Sequence, residues 1–92
     1  MSESSTPVVQ SAEIEFKLAI AWQHQGQLAR AAAGYRKAIA LQPEYVPAYM
    51  ELADLLETSG KLPEAIAVYC RAVEYNPHDF GLQNKLTSLL RK

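Results

Sequence analysis

The sequence repeats itself at an interval of 34 residues. When residues 12–45 are aligned without a gap on residues 46–79, nine positions are identical. The matching pairs are Leu18/Leu52, Ala19/Ala53, Gly26/Gly60, Leu28/Leu62, Ala31/Ala65, Ala33/Ala67, Tyr35/Tyr69, Ala38/Ala72 and Pro43/Pro77. Small, aromatic, glycine and proline residues such as these set how closely chain segments pack and where they turn. A fixed period of this length is typical of stacked repeat units, so the chain is expected to fold as an array of similar modules.

The first unit has the pattern of two helices joined by a short turn. Ser11 is a suitable N-cap for a helix that runs to about Gln25, and Gly26 ends that helix. A second helix is predicted from about residue 28 to residue 41, and it stops before Pro43. Fourteen alanines and eleven leucines among 92 residues favour helices, and the β-branched strand formers isoleucine and valine are sparse.

The second unit repeats this layout, and half of a third follows it. Pro47 and Pro63 lie where proline is tolerated in a first helical turn, and Gly60 separates the two helices. Asp79 is a suitable N-cap for a fifth helix that keeps the 34-residue phase. The sequence therefore predicts an all-α fold of about five helices, in antiparallel helix–turn–helix units.

The spacing of apolar residues predicts which helix faces lie inward. On the fifth helix we expect repeat packing to cover only part of the apolar stripe. Gly34 lies inside a helix, where glycine is unfavourable; either another backbone approaches it closely or the position is neutral. The predicted apolar sides are Ile14, Leu18, Ala21, Trp22 and Gln25 on the first helix, Leu28, Ala31, Ala32, Tyr35, Ala38 and Ile39 on the second, and Leu82, Leu86, Leu89 and Leu90 on the fifth.

Composition excludes several classes of protein. A formal charge of −1 argues against nucleic-acid binding, and the single cysteine cannot form an internal disulfide. The sequence has neither a long apolar run nor a secretory signal, so we expect no membrane partner and a cytoplasmic location. His24, His78 and Cys70 have no metal-binding or catalytic spacing, and no phosphate-binding glycine loop occurs. We therefore predict no catalytic residue, no cofactor and no metal site.

The repeated pattern resembles the tetratricopeptide repeat family. The resemblance covers two full repeats, residues 12–45 and 46–79, and a capping or half-repeat helix, residues 80–92; residues 1–10 are expected to be a flexible leader. Two departures are mild: Glu15 stands where the family favours an aromatic residue, and Leu56 where it favours tyrosine. The residues that carry the resemblance, all expected in repeat packing, are Leu18, Ala19, Trp22, Gly26, Ala31, Tyr35, Ala38, Pro43, Leu52, Ala53, Gly60, Ala65, Tyr69, Ala72 and Pro77.

The resemblance implies a short right-handed α-solenoid whose first helices line a concave groove for a peptide or a partner helix. The implied groove residues combine an apolar spot with an acidic strip, which suits a ligand with apolar anchors and some basic character. Alternatively, Val8 and Val9 or a twin subunit cover the apolar spot. The implied groove residues are Glu13, Phe16, Ile20, Gln23, His24, Met50, Asp54, Glu57, Thr58, Asn84 and Lys85.

Family members that grip acidic chaperone C-termini use several basic and amide residues in the groove. The matching positions here hold Phe16, Ile20, Glu51, Gly81 and Lys85, of which only Lys85 fits, so we reject that ligand. We expect a non-catalytic scaffold for a protein or peptide partner of unknown identity. The alternative is an oligomerisation or structural module that self-associates or is the N-terminal part of a larger protein, as bacterial modules of this family often precede a transferase.

Overall fold

The computed structural model describes residues 11–91, which form five α-helices and, within that range, no strand. The predicted all-α architecture is therefore confirmed. The predicted leader, residues 1–10, lies outside the described residues. The helices are α1 (Ala12–His24), α2 (Leu28–Leu41), α3 (Val46–Thr58), α4 (Leu62–Tyr75) and α5 (Phe80–Leu90).

The helices stack in chain order. The principal contacts join α1 to α2, α2 to α3, α3 to α4 and α4 to α5. Packing between sequence neighbours alone is the mark of a solenoid, in which each unit buries its apolar face on the next. The predicted helical-repeat solenoid is thus confirmed.

The helix ends follow the signals in the sequence. The Ser11 hydroxyl accepts a hydrogen bond from the backbone N–H of Ile14 at 3.1 Å, and the Asp79 carboxylate accepts one from that of Leu82 at 3.2 Å. Both side chains satisfy backbone donors that a helix leaves free at its N-terminus. Gly26 and Gly60 have φ values of 78° and 81°, the left-handed conformation that glycine adopts without strain.

Small and aromatic residues at repeated positions form the core. The tyrosines Tyr35 and Tyr69 are 0% and 2% exposed, so they fill the space that the small residues leave between helices. The alanines let the helix backbones approach each other closely. The alanines with no exposed surface are Ala19, Ala31, Ala38, Ala48, Ala53, Ala65 and Ala72.

Gly34 marks a close approach of α1 and α2. A β-carbon placed on Gly34 would lie 2.8 Å from the Cβ of Ala19 and 3.3 Å from its Cα. Non-bonded carbons prefer separations of about 3.5–4.0 Å, so a larger residue would force the helices apart. Of the two interpretations of this glycine, the close backbone approach is therefore correct.

The inward face predicted for α1 is wrong. Ile14 and Leu18 are 48% and 49% exposed, Ala21 and Gln25 are exposed, and Trp22 is half-buried. The side of α1 that is buried instead carries Ala12 and Ala19, with Phe16, Ile20 and Gln23 half-buried between and beside them.

Ile14 and Leu18 are exposed because α1 is the first helix of the described array. Ala48 and Leu52, the counterparts of Ile14 and Leu18, have no exposed surface because α3 packs against α2. Within residues 11–91 no helix packs on the corresponding side of α1. Leu28, predicted to face inward on α2, is 45% exposed at the same end of the array.

On α5 repeat packing covers part of the apolar stripe, as expected. Leu82 and Leu89 are 1% and 5% exposed, and Leu86 is half-buried. Packing against α4 covers these three leucines. Leu90 alone of the predicted stripe remains largely open, at 63% exposure.

The two departures from the family pattern are accommodated within the packing. Glu15 on α1 forms an ion pair with Lys37 on α2 at 3.6 Å, and its side chain is only 15% exposed. A charged pair therefore joins the two helices at the position where the second repeat uses Tyr49. Leu56 is 5% exposed and belongs to the core.

Candidate functional site

The residues predicted for the groove lie on α1, α3 and α5, and all retain exposed surface. We call the part formed by α1 and α3 the first-helix face, defined by Phe16, Ile20, Gln23, Met50, Glu51, Asp54 and Glu57. Its apolar members are partly covered and its acidic members reach solvent. This combination leaves the side chains both held in place and accessible.

An aromatic cluster fixes the apolar part of the first-helix face. The ring of Phe16 lies 5.8 Å from that of Tyr35 and 5.6 Å from that of Tyr45, in tilted and edge-on arrangements that aromatic pairs favour. Ile20 is half-buried against the core, and Met50 is 37% exposed. The result is a firm apolar surface with one flexible thioether side chain, the type that adapts to different partners.

The hydroxyl of Tyr35 joins α2 to this face. It donates a hydrogen bond to Oε1 of Gln23 at 2.5 Å, which orients the glutamine side chain. Burial raises the pKa of Tyr35 to about 12, and the negative charge of Glu51 adds to the increase. A charge on α3 of the second repeat therefore influences the ionisation of a tyrosine in the first repeat.

Acidic residues of α3 influence the ionisation of Tyr69. Burial is the main cause that raises the pKa of Tyr69, and the charges of Asp54, Glu57 and Glu51 raise it further. Residues three apart on a helix share one side, so the three acids form a continuous strip along α3. Glu57 is the repeat counterpart of Gln23, so the second repeat has a negative charge where the first has a neutral amide.

The remaining predicted residues lie at the margins. Glu13 pairs with Lys17 at 3.4 Å on the exposed side of α1, and His24 lies exposed in the last turn of that helix. The Thr58 hydroxyl donates to the backbone carbonyl of Asp54 at 2.8 Å. The Glu13–Lys17 ion pair and the Thr58–Asp54 hydrogen bond are each local contacts within a single helix.

The two groove residues predicted on α5 are not joined to the acidic strip. Asn84 and Lys85 are exposed, and neither side chain forms a hydrogen bond or ion pair within residues 11–91. They remain candidates for contacts with a ligand that extends beyond α3.

The groove residues predicted from the sequence did not include Tyr45 or the tyrosine hydroxyls. Glu51 was considered only as a position matching the chaperone-binding members, although acids at positions 51, 54 and 57 have the spacing of one helix side. The roles of Tyr35 and Tyr69 as polar groups had no such signal, because the 34-residue register marks them as packing residues. Their hydroxyls reach the face only through the way neighbouring helices cross.

The site has no arrangement for metal binding among the residues the structure describes. Within residues 11–91 no three His, Cys, Asp or Glu side chains come together as a metal ion would require. Cys70 and His78 are both exposed. Between residues 11 and 91, every helix falls short of the length and apolar character needed to cross a bilayer.

Stacked antiparallel helix pairs of 34 residues, with paired tyrosines and turn glycines, define a helical-repeat protein. Residues 23–90 match the family model of the tetratricopeptide repeat, and the chain belongs to this family. No curated protein matches the chain. Tetratricopeptide repeats generally mediate protein–protein interaction, and their fold is in general a non-catalytic scaffold.

Proposed function

We propose that the first-helix face binds a peptide or a helix of a partner protein, through apolar anchors and basic side chains, without catalysis. The observation that carries the proposal is an apolar surface, half-buried Phe16 and Ile20 with Met50 at 37% exposure, on the same face as the solvent-reaching acids of α3. Acids such as Glu51 and Asp54 along one side of a helix create a negative field that a basic ligand would relieve.

The apolar contribution comes from the neighbouring side chains. Phe16 is held by two tyrosine rings, and Met50 is 37% exposed beside the strip. A leucine or aromatic side chain of a ligand would displace water from this surface, and each buried CH₂ would stabilise the complex by about 0.8 kcal/mol. The carboxylates would then select ligands with lysine or arginine next to that anchor.

A binding assay with two short labelled peptides tests the proposal. One peptide carries leucine anchors flanked by lysines, and the other has glutamate in place of each lysine. We expect only the lysine peptide to bind. The double substitution Asp54→Asn and Glu57→Gln should weaken the binding of that peptide roughly tenfold. Higher salt should weaken it as well.

The control is Glu74→Gln, which removes an exposed carboxylate from α4 outside this face. Equal binding by the wild-type chain and the double variant would contradict the proposal. Preference for the glutamate peptide would contradict it too. Because the changes are isosteric and Asp54 is exposed, matched thermal unfolding can establish that the variants keep their fold.

A second candidate function is self-association through the exposed end of the array. We call this surface the end face, defined by Ile14, Leu18, Ala21, Trp22 and Leu28. Its counterparts in the second repeat are buried or half-buried by the neighbouring unit. The end face therefore has the residue types of a repeat–repeat contact, and its apolar side chains favour burial.

We propose that a second copy of the chain covers the end face through the same surface on both protomers. Symmetric pairing of identical patches is the commonest route to a homodimer. Leu18→Glu should convert the dimer to a monomer in sedimentation analysis, whereas Leu90→Glu at the opposite end should not. A wild-type chain that is monomeric at high concentration would overturn this second candidate.

A further inference from the structure

A cavity opens between α2 and α4, on a different side of α3 from the acidic strip. Its volume is about 320 Å³. Its apolar walls are formed by Ile39 on α2, Leu52 on α3 and Val68 on α4, with the rings of Tyr49 and Tyr75 beside them. This volume is near the lower limit of small-molecule sites, so the cavity fits a group about as large as one amino-acid residue.

Two arginines line the cavity from opposite helices. Arg36 extends from α2 and Arg71 from α4, and both also line an adjoining hollow of about 210 Å³. Within residues 11–91 the two ion pairs involve Lys17 and Lys37, and neither arginine has a carboxylate within 4.0 Å. The guanidinium groups therefore remain available to bind a ligand.

The repeat does not account for this arrangement. The counterpart of Arg36 in the second repeat is Cys70, and that of Arg71 in the first is Lys37. The two arginines line one cavity because both α2 and α4 contribute residues to its wall. Arg71 and Tyr49 both line the cavity, and the positive charge of Arg71 partly opposes the rise that burial causes in the pKa of Tyr49.

The charges around the cavity favour a singly charged anion. None of the residues that line it, all in the described part of the chain, is acidic. Glu64 lines the adjoining hollow, and Glu44 and Glu74 are close enough to act on Tyr49. These three carboxylates would repel a doubly charged phosphate more than a carboxylate.

We propose that the cavity binds a carboxylate carried on an aromatic or branched apolar group of single-residue size. The forked guanidinium groups of Arg36 and Arg71 hold the carboxylate, for which their geometry is well suited. The walls formed by Ile39, Leu52 and Val68 hold the apolar group. Two sources supply this chemistry: the last residue of a peptide chain and a free aromatic acid.

The test uses N-acetyl-phenylalanine and its amide as probes, with binding followed by NMR titration of the intact chain. The acid should bind with a Kd on the order of 1 mM and shift the signals of Ile39 and Val68. The amide, which lacks the negative charge, should bind roughly tenfold more weakly or not at all.

Two peptides that end in phenylalanine, one with a free and one with an amidated C-terminus, distinguish the two sources. Tighter binding by the free-ended peptide than by N-acetyl-phenylalanine assigns the site to chain ends. Binding of the small acid alone assigns it to a free acid. Both results support the proposed chemistry, and they differ only in the origin of the ligand.

Arg36→Gln and Arg71→Gln should each weaken binding of the acid roughly tenfold. Lys61 is an exposed cation outside the cavity, so Lys61→Gln should leave the affinity unchanged. The wild-type chain and both arginine variants should unfold at similar temperatures, because the two arginines are exposed. Equal binding of acid and amide, no binding of either, or an unchanged affinity in the arginine variants would overturn the proposal.

Discussion

Gly34 on α2 lies against Ala19 on α1 so closely that a β-carbon at position 34 would be 2.8 Å from that of Ala19. In the second repeat the counterparts are Val68 and Ala53, so the first pair of helices has an approach that the second does not share. The contact explains a helix-interior glycine that would otherwise only weaken α2.

Gly34→Ala should therefore destabilise the fold by about 1–2 kcal/mol. Overpacking costs about 1–3 kcal/mol, and the better helix propensity of alanine offsets up to about 1 kcal/mol of it. Urea unfolding followed by circular dichroism measures the difference. In an Ala19→Gly background the same substitution should cost less, since the opposing β-carbon is gone and only the contact with the Cα at 3.3 Å remains tight; a loss of equal size in both backgrounds would contradict the close approach.

Enlarging a buried alanine should have a similar effect elsewhere in the array. Ala65 has no exposed surface between α3 and α4, so Ala65→Leu should lower the free energy of unfolding by about 1–3 kcal/mol. Ala67, two residues further along α4, is exposed and provides the matched control. Similar thermal unfolding of the two leucine variants would show that the repeat packing is looser than described.

Alkaline pH should destabilise the fold through Tyr35. An unfolded tyrosine ionises near pH 10, whereas burial raises the pKa of Tyr35 to about 12. The neutral form is thus favoured in the folded state, and the stability linked to it is fully present below pH 10. As pH rises from 10 towards 12, this stability should fall by up to about 1.4 kcal/mol per pH unit.

Tyr35→Phe isolates that contribution. The variant should lose less stability than the wild-type chain between pH 10 and pH 12, because one ionising group has been removed. Unfolding in urea at several alkaline pH values gives the comparison. Parallel pH profiles for the two chains would mean that Tyr35 ionises equally well in the folded and unfolded states.

Much of the fold followed from local rules and the repeat. Ser11, Asp79, Gly26 and Gly60 mark helix ends by their own chemistry, so the sequence predicted those ends correctly. The exposure of Leu18 could not be predicted in this way. A helical period identifies an apolar side, but it does not distinguish a unit with a neighbour on that side from a unit without one.

Less of the candidate site could be predicted. The repeat register indicated that Phe16, Met50 and Asp54 share a surface with the other first-helix residues. It gave no means of finding the hydrogen bond between Tyr35 and Gln23, or the effect of Glu51 on the pKa of tyrosines on two helices, since these depend on how helices cross. The expectations of a cytoplasmic location and of membership in a larger protein stay predictions.

We propose that the first-helix face holds a basic, apolar peptide. The most direct measurement is an NMR titration of the chain with the leucine–lysine peptide, reading backbone amide shifts residue by residue. We expect the largest amide shifts at Ile20, Met50 and Asp54, and no shifts at the residues of the cavity lined by Arg36 and Arg71. Shifts confined to that cavity or to the end face, or no shifts at all, would contradict it.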